Sequence, residues 1–576
     1  MKRFTLILLL FLVCSCKYLN DKNGALPSDD AIVEKTSDTL SVLEDKGPTD
    51  SKDISAISVK DFREFKVLDS KYINVTDLWN PFAKDLESFS EVTYNSLKPL
   101  ILEQDIPTIQ KHIQNGKLSY ELLVKFYLYR IRKFDRENAF SLNSVISLNP
   151  NVIEESKQKD MELRNKKAKH PIFGMPILLK DNIDATGMAT TAGAVALKDN
   201  DINKEAFIVT QLKQKGALIL GKTNLSEWAY FFCGDCPSGY SAIGGQTLNP
   251  YGRKIMDTGG SSSGSGVAVA ANFCVAAVGT ETSGSILSPS SQNSIVGFKP
   301  TVGLLSRSGI VPISSTLDTP GPMTRNVMDN ALLMDAMFGP DEKDNKSIDA
   351  LLDSGFYYEK IVITNLKGKR FGYFEESKKD SLFATAIEVL KNLGAEMVEL
   401  KPETLELPGF IRLLNLDMKK DLPIYLKASA HDSVIVTSVK DVIEFNKSDS
   451  LNMMPYGQKL FEGIVADKGT NQELEAIKSK LKKNGQLFFD TPMKANNLNA
   501  ILSINNYHAG FAAVAEYPAI TIPMGYSSDN KAPKGLTFIG KRLNEKFLLQ
   551  WAYAYEQASK MRKMPKMQNV CKFPHI

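Results

Sequence analysis

The chain has 576 residues, 43% of them hydrophobic, which is ample for a large core built as one big α/β domain or as two domains. Lys and Arg together number 70 and Asp and Glu 66, a net charge of +4, and a balance so near zero excludes the basic footprint of a nucleic-acid binder. No internal period of about 20–50 residues is visible, which sets repeat folds aside.

Met1-Lys2-Arg3 is a short basic segment, and Phe4 to Val13 is an apolar run of ten residues. That run is too short to span a bilayer, which takes roughly 20 residues. It closes on Val13-Cys14-Ser15-Cys16. A small residue just before a cysteine resembles the bacterial lipobox, with Cys16 as the lipidated residue. Cys14 is the poorer choice, because bulky Val13 precedes it. An ordinary secretory signal or an uncleaved anchor is the alternative. The expectation is a lipoprotein signal peptide over 1–15 and a protein held at the bacterial cell envelope, in the periplasm or at the cell surface, with membrane contact through the lipid only. Removing residues 1–15 takes away Lys2 and Arg3 and no acid, which lowers the net charge from +4 to +2. Residues 16–60 are rich in Asp, Ser and Lys and read as a solvated tether. Residues 61–96 contain Trp79, Phe82 and Phe89 without a clean period and read as a strap packed on the surface.

From Ile106 to Arg136 apolar residues recur at three- and four-residue steps, and Asn115-Gly116 splits the run into two helices. Pro176 to Leu179 is a short apolar strand ending at Lys180, Lys204 to Lys215 a helix, and Ala217 to Leu220 a strand. This alternation predicts a mixed or parallel sheet covered by helices. Gly216 to Thr223 fits the letters of a phosphate-binding loop, but its four intervening residues are themselves a β-type run after a helix, so nucleotide binding is not expected. Cys233-Gly234-Asp235-Cys236 is a disulfide or half a metal site in an exported chain. No second cysteine pair exists, and His112, His170, His431, His508 and His575 lack ligand spacing, so no metal is expected. A local loop near the substrate entrance, open to oxidation, is the reading. Cys274 reads as a small apolar filler.

Two Gly/Ser loops follow, Gly259-Gly260-Ser261-Ser262-Ser263-Gly264 and Gly279-Thr280-Glu281-Thr282-Ser283-Gly284-Ser285. A Gly/Ser run is often a flexible linker, but a linker is flanked by polar sequence. Here the first loop feeds Val267 to Val278, a small apolar run that reads as a buried helix leading into a strand. Glycine turns against a packed helix let backbone N–H groups approach a ligand, which is the surface an oxyanion needs.

These two loops, the run Gly297-Phe298-Lys299-Pro300-Thr301-Val302-Gly303, and the upstream stretch Gly174 to Asp184 around Lys180 resemble the amidase signature family. The Gly-Thr-Glu-Thr form is similar to the family's bacterial peptide-amidase-like members. The resemblance runs over 97–562, with core motifs in 170–330 and a variable, substrate-shaping region at about 340–495. It implies one large α/β domain with a mixed central sheet covered by helices on both faces. It also implies hydrolysis of a small-molecule or peptide amide through an acyl-enzyme, without cofactor. Ser285 would attack, Ser261 would relay the proton, and Lys180 would be the base. The Gly260–Ser261 peptide bond would be cis, and the N–H groups of Thr282, Ser283, Gly284 and Ser285 would form the oxyanion hole. Ser283 stands where relatives often carry Gly or Asp, and Leu287 where many carry Arg, which bears on pocket size and polarity. Beyond the variable region, Ala519 to Gly525 and Leu536 to Gly540 read as strands, Phe547 to Lys560 as a closing helix, and 563–576 as a loose basic tail.

Three other readings stay open. The same core serves the amidase subunit of a tRNA-dependent amidotransferase. Gly260 to Gly264 also spells a nucleophile elbow with Ser262 at its tip and His508 as partner. A binding lipoprotein that has lost catalysis is the third. Neither the particular amide nor the oligomeric state is legible.

Overall fold

Short apolar runs bounded by glycine and proline become the strands. The structure, a computed structural model, describes residues 65–136, 140–163, 169–349, 355–401 and 404–567. The signal segment, Cys16 and the tether lie outside these residues. In chain order the strands are β1 (Val145–Leu148), β2 (Pro176–Lys180), β3 (Leu218–Thr223), β4 (Tyr240–Ser241), β5 (Gly245–Gln246), β6 (Ala276–Glu281), β7 (Val296–Lys299), β8 (Thr319–Thr324), β9 (Arg370–Phe374), β10 (Glu396–Leu400), β11 (Ala500–Ile504), β12 (Ala519–Tyr526) and β13 (Pro533–Ile539). The small β4–β5 hairpin stands apart, and the rest form one 11-stranded sheet in the order β1-β3-β2-β6-β8-β7-β12-β13-β11-β9-β10. Strands β3, β2 and β6 are mutually parallel, as are β11, β9 and β10, while the block between them is antiparallel. With helices packed on both sides of the sheet, this is the mixed α/β architecture the sequence implies.

The helix Ser263–Ala270 has all eight of its residues buried, so it is a core element despite its Gly/Ser start. Small residues are required there: a Cβ on Gly264 would fall on the carbonyl oxygens of Asn224 and Ser144. Ser265 Oγ lies 2.7 Å from Thr223 Oγ1, which ties the helix to the end of β3. Because β2 and β6 run parallel with Leu179 beside Val278, both strands deliver their carboxyl ends to one edge of the sheet. Lys180 and Glu281 close those strands, and the helix starts at the same edge. Crevices at the carboxyl ends of parallel strands are where α/β folds receive ligands.

The leading helices are Ile106–Gln114 and Tyr120–Ile131, separated at Asn115-Gly116 as the sequence predicts, with Gly116 at φ +69°. The expectation of a surface strap over 61–96 is corrected by the structure over residues 65–96, while 61–64 lie outside the described residues. Short helices cover residues 75–87 and a longer one Glu91–Ile101, and Trp79, Phe82, Leu86 and Phe89 are buried in the main core. Aromatic side chains this large are worth about 2–3 kcal/mol each when removed from water, which decides against a surface position. The variable region contains the expected helices, among them Phe410–Ser429 and Asn471–Ala495, but also β9 and β10 at the sheet edge. Cys233 and Cys236 are joined by a disulfide, and Cys274 is buried and free. Among the described residues no helix is long and apolar enough to cross a membrane.

Candidate active site

Lys180 emerges from the end of β2 with no exposed surface. Its Nζ donates to Ser261 Oγ at 2.7 Å, to Thr280 Oγ1 at 2.8 Å and to the Thr280 carbonyl at 3.2 Å. Asn182 Nδ2 donates to Thr280 Oγ1 at 3.0 Å and so fixes that hydroxyl. Burial disfavours the charged amine and brings the Lys180 pKa down to about 7, although the carboxylates of Asp318 and Glu281 pull the other way. A lysine titrating near 7 is half neutral at physiological pH and can accept a proton.

Ser261 follows a cis peptide bond from Gly260. Its carbonyl accepts the Ser226 N–H at 3.0 Å. Ser285 is held against the same turn, because its carbonyl accepts the Ser262 N–H at 3.1 Å. Exposure rises from Lys180 at 0% through Ser261 at 1% to Ser285 at 9%, so of the three Ser285 is the one open to a substrate.

Glu281, which sequence reasoning passed over, organises the second loop. Its carboxylate accepts the N–H groups of Gly284 at 2.7 Å, Ile286 at 2.7 Å and Leu287 at 3.0 Å. Burial pushes its carboxyl up, opposed by the buried Lys299 ammonium and by those amides. The four amides expected to form an oxyanion hole are not equally free. The Gly284 N–H already belongs to Glu281, whereas the N–H groups of Thr282, Ser283 and Ser285 are committed to no other group among the described residues. The Glu281→Gln variant keeps the shape but replaces one acceptor oxygen by an NH2 that faces an amide donor. It is expected to lower kcat about 10²-fold through loop misplacement and to cost about 2 kcal/mol of stability, read by steady-state kinetics and thermal unfolding.

A cavity of about 910 Å³ opens beside Asn182, Thr280 and Thr282. That is ample for a drug-sized ligand. Asp318 lies on its wall, accepting the Thr282 hydroxyl at 2.6 Å and the Ile313 and Ser314 N–H groups at 2.8 and 2.9 Å. Burial raises the Asp318 pKa to about 6. The Ser314 hydroxyl donates to Asp417 at 2.5 Å, and the Ser315 N–H to Asp421 at 2.6 Å. Both aspartates sit on the helix Phe410–Ser429, so the variable region is wired to the loop that braces Thr282.

The elbow geometry is absent. Ser262 Oγ is fully buried and donates to the Thr280 carbonyl at 3.0 Å, while His508 Nδ1 lies 2.7 Å from Ser503 Oγ among aromatic rings. Lys222, the lysine of the phosphate-loop lookalike, lies within β3 and pairs with Asp181 at 3.2 Å. Thr280, Asn182 and Glu281 were the residues the sequence did not single out as functional. Their signal was position, since two lie inside the second loop and one lies two residues after Lys180.

Known proteins resemble this chain along most of its length. The family model described as Amidase matches residues 123–444. A solved amidase family protein from Bacillus anthracis superposes over 87% of this chain and 100% of its own, with a TM-score of 0.81 and 37% identity. A peptide amidase from Stenotrophomonas maltophilia covers 81% of this chain and 99% of its own, with a TM-score of 0.76 and 36% identity. A probable amidase of Arabidopsis thaliana is 36% identical over 485 residues, spanning 81% of this chain and 92% of the relative. The chain belongs to the amidase signature family and is a hydrolase acting on amides.

Proposed function

We propose that this enzyme cleaves carbon–nitrogen amide bonds through Ser285, Ser261 and Lys180. The observation that carries the reading is the fully buried Lys180 Nζ, 2.7 Å from Ser261 Oγ and brought to a pKa of about 7. Ser285 Oγ attacks the amide carbonyl and its proton passes through Ser261 to neutral Lys180. The N–H groups of Thr282, Ser283 and Ser285 receive the oxyanion; losing one such donor typically costs about 3–4 kcal/mol of barrier. The proton returns to the departing nitrogen, ammonia or an amine leaves, and water clears the acyl-enzyme by the same relay. The likeness to a peptide amidase and the 910 Å³ cavity favour peptide or small-molecule amides over a macromolecular substrate.

We also propose export and lipid attachment at Cys16, on the strength of the sequence Met1 to Cys16. Metabolic labelling with a fatty-acid probe is expected to mark the full chain and to be lost in Cys16→Ser.

The activity is tested by ammonia release from a panel of C-terminal peptide amides and simple amides. Transamidation of a charged tRNA instead of hydrolysis would favour the amidotransferase reading. Only neutral Lys180 accepts the proton, so kcat/KM is expected to rise about tenfold per pH unit below about 7 and to level off above it. A profile flat from pH 5 to 9 would remove Lys180 from the relay.

A further inference from the structure

The loop Thr282 to Ser285 has a second neighbour, away from the 910 Å³ cavity wall. A Cβ built on Gly284 would lie 3.1 Å from Asn506 Nδ2, and one built on Gly510 would lie 3.9 Å from Ser283 Oγ. The backbone around Asn506 is held firmly. Asn505, at φ +49°, accepts the Gly535 N–H on its side chain at 2.8 Å and the Thr537 hydroxyl on its carbonyl. The Asn506 carbonyl accepts the Ala509 N–H at 2.9 Å. Its side-chain amide is unused: among the described residues neither the Asn506 amide nor the Ser283 hydroxyl makes a hydrogen bond. Both residues are partly exposed. An apolar wall stands next to them, with Leu287, Phe488 and Phe511 buried in one cluster and Leu407 packed against it. Leu407 Cδ1 would lie 3.3 Å from a Cβ on Gly510.

Two unspent polar groups beside the loop that carries Ser285, next to an apolar wall, form a recognition pair. We propose that Asn506 and Ser283 bind the first amide group of a peptidyl acyl chain. Asn506 Nδ2 donates to its carbonyl oxygen, Ser283 Oγ accepts its N–H, and an apolar side chain of the substrate rests on Leu407. The inference rests on acyl transfer at Ser285. A site built to hydrogen-bond a polar group rejects the analogue lacking it, because its own groups are then left unpaired.

The test compares the full chain on N-acetyl-leucinamide and on 4-methylpentanamide, the same skeleton without the acylamino group. The wild type is expected to prefer the first compound in kcat/KM by about tenfold or more, about what one or two neutral hydrogen bonds supply. Asn506→Ala and Asn506→Asp are each expected to cut that preference about tenfold. The aspartate keeps the shape but removes the donor, so a purely structural role for Asn506 would spare the preference. Ser283→Ala is expected to move the preference in the same direction, with thermal unfolding close to wild type in all three variants. A preference untouched by these changes, or equal losses on both compounds, would overturn the proposal. The same preference read as a ratio of Kd values by calorimetry does not depend on turnover. A wild type that shows the Kd preference but turns over neither compound therefore counts against acyl transfer at Ser285, and a Kd preference that survives unchanged in the Asn506 variants counts against the Asn506 site.

Discussion

Ser285→Ala is expected to lower kcat by about 10⁴-fold or more, with little change in KM or folding. The alanine removes the hydroxyl proposed to form the acyl-enzyme, and no neighbour replaces it. Ser261 Oγ is buried against Lys180, and Ser262 Oγ is bound to the Thr280 main chain. The loop itself is held by Glu281 through the Gly284, Ile286 and Leu287 amides, none of which needs the Ser285 side chain. Binding measured by calorimetry should therefore survive while product formation stops. Residual turnover within about tenfold of wild type would mean that another group attacks the carbonyl.

Lys180→Met is expected to be nearly as inactive and yet more stable. The wild-type amine is fully buried, and its pKa falls from 10.5 to about 7. Each pKa unit is worth about 1.4 kcal/mol, so at neutral pH the buried lysine costs the fold on the order of 3–5 kcal/mol. Methionine fills the same space without that penalty, though the Ser261 hydroxyl and the Thr280 carbonyl lose their donor, which leaves a net gain of about 2 kcal/mol. The folded pKa lies below the unfolded one, so between pH 7 and 10.5 the unfolded chain binds more protons and wild-type stability rises with pH. The advantage of the variant should accordingly be largest below pH 7 and shrink toward pH 10.5, read by thermal unfolding across that range. An advantage independent of pH would show that the lysine is not the group relieved.

The three residues proposed to react were legible because each sits in a contiguous motif whose glycines and small residues match its packing. Gly264 is an example, since only a residue without a side chain fits between Asn224 and Ser144. The donor set was not legible, because which amides remain free is settled by the direction of one side chain, Glu281, and direction is not written in spacing. Strand β8 was hidden for a different reason. Its residues Thr319-Pro320-Gly321-Pro322-Met323-Thr324 carry two prolines, which ordinarily exclude a central strand, yet it pairs with both β6 and β7. Strand β10 lies at the sheet edge with most of its residues partly or fully exposed, so it shows no continuous apolar run. The helices over 75–87 escaped because each is too brief to display a period, whereas Glu91–Ile101 carries Tyr94, Leu97 and Ile101 at three- and four-residue steps that went unread.

The most direct test of the Ser285–Ser261–Lys180 assignment is covalent labelling of the folded protein with a fluorophosphonate probe, with the adduct located by peptide mass spectrometry and Lys180→Ala run alongside. The account predicts an adduct on Ser285 that disappears in the variant. An adduct on Ser262, or an adduct on Ser285 that persists at full rate without Lys180, would contradict it.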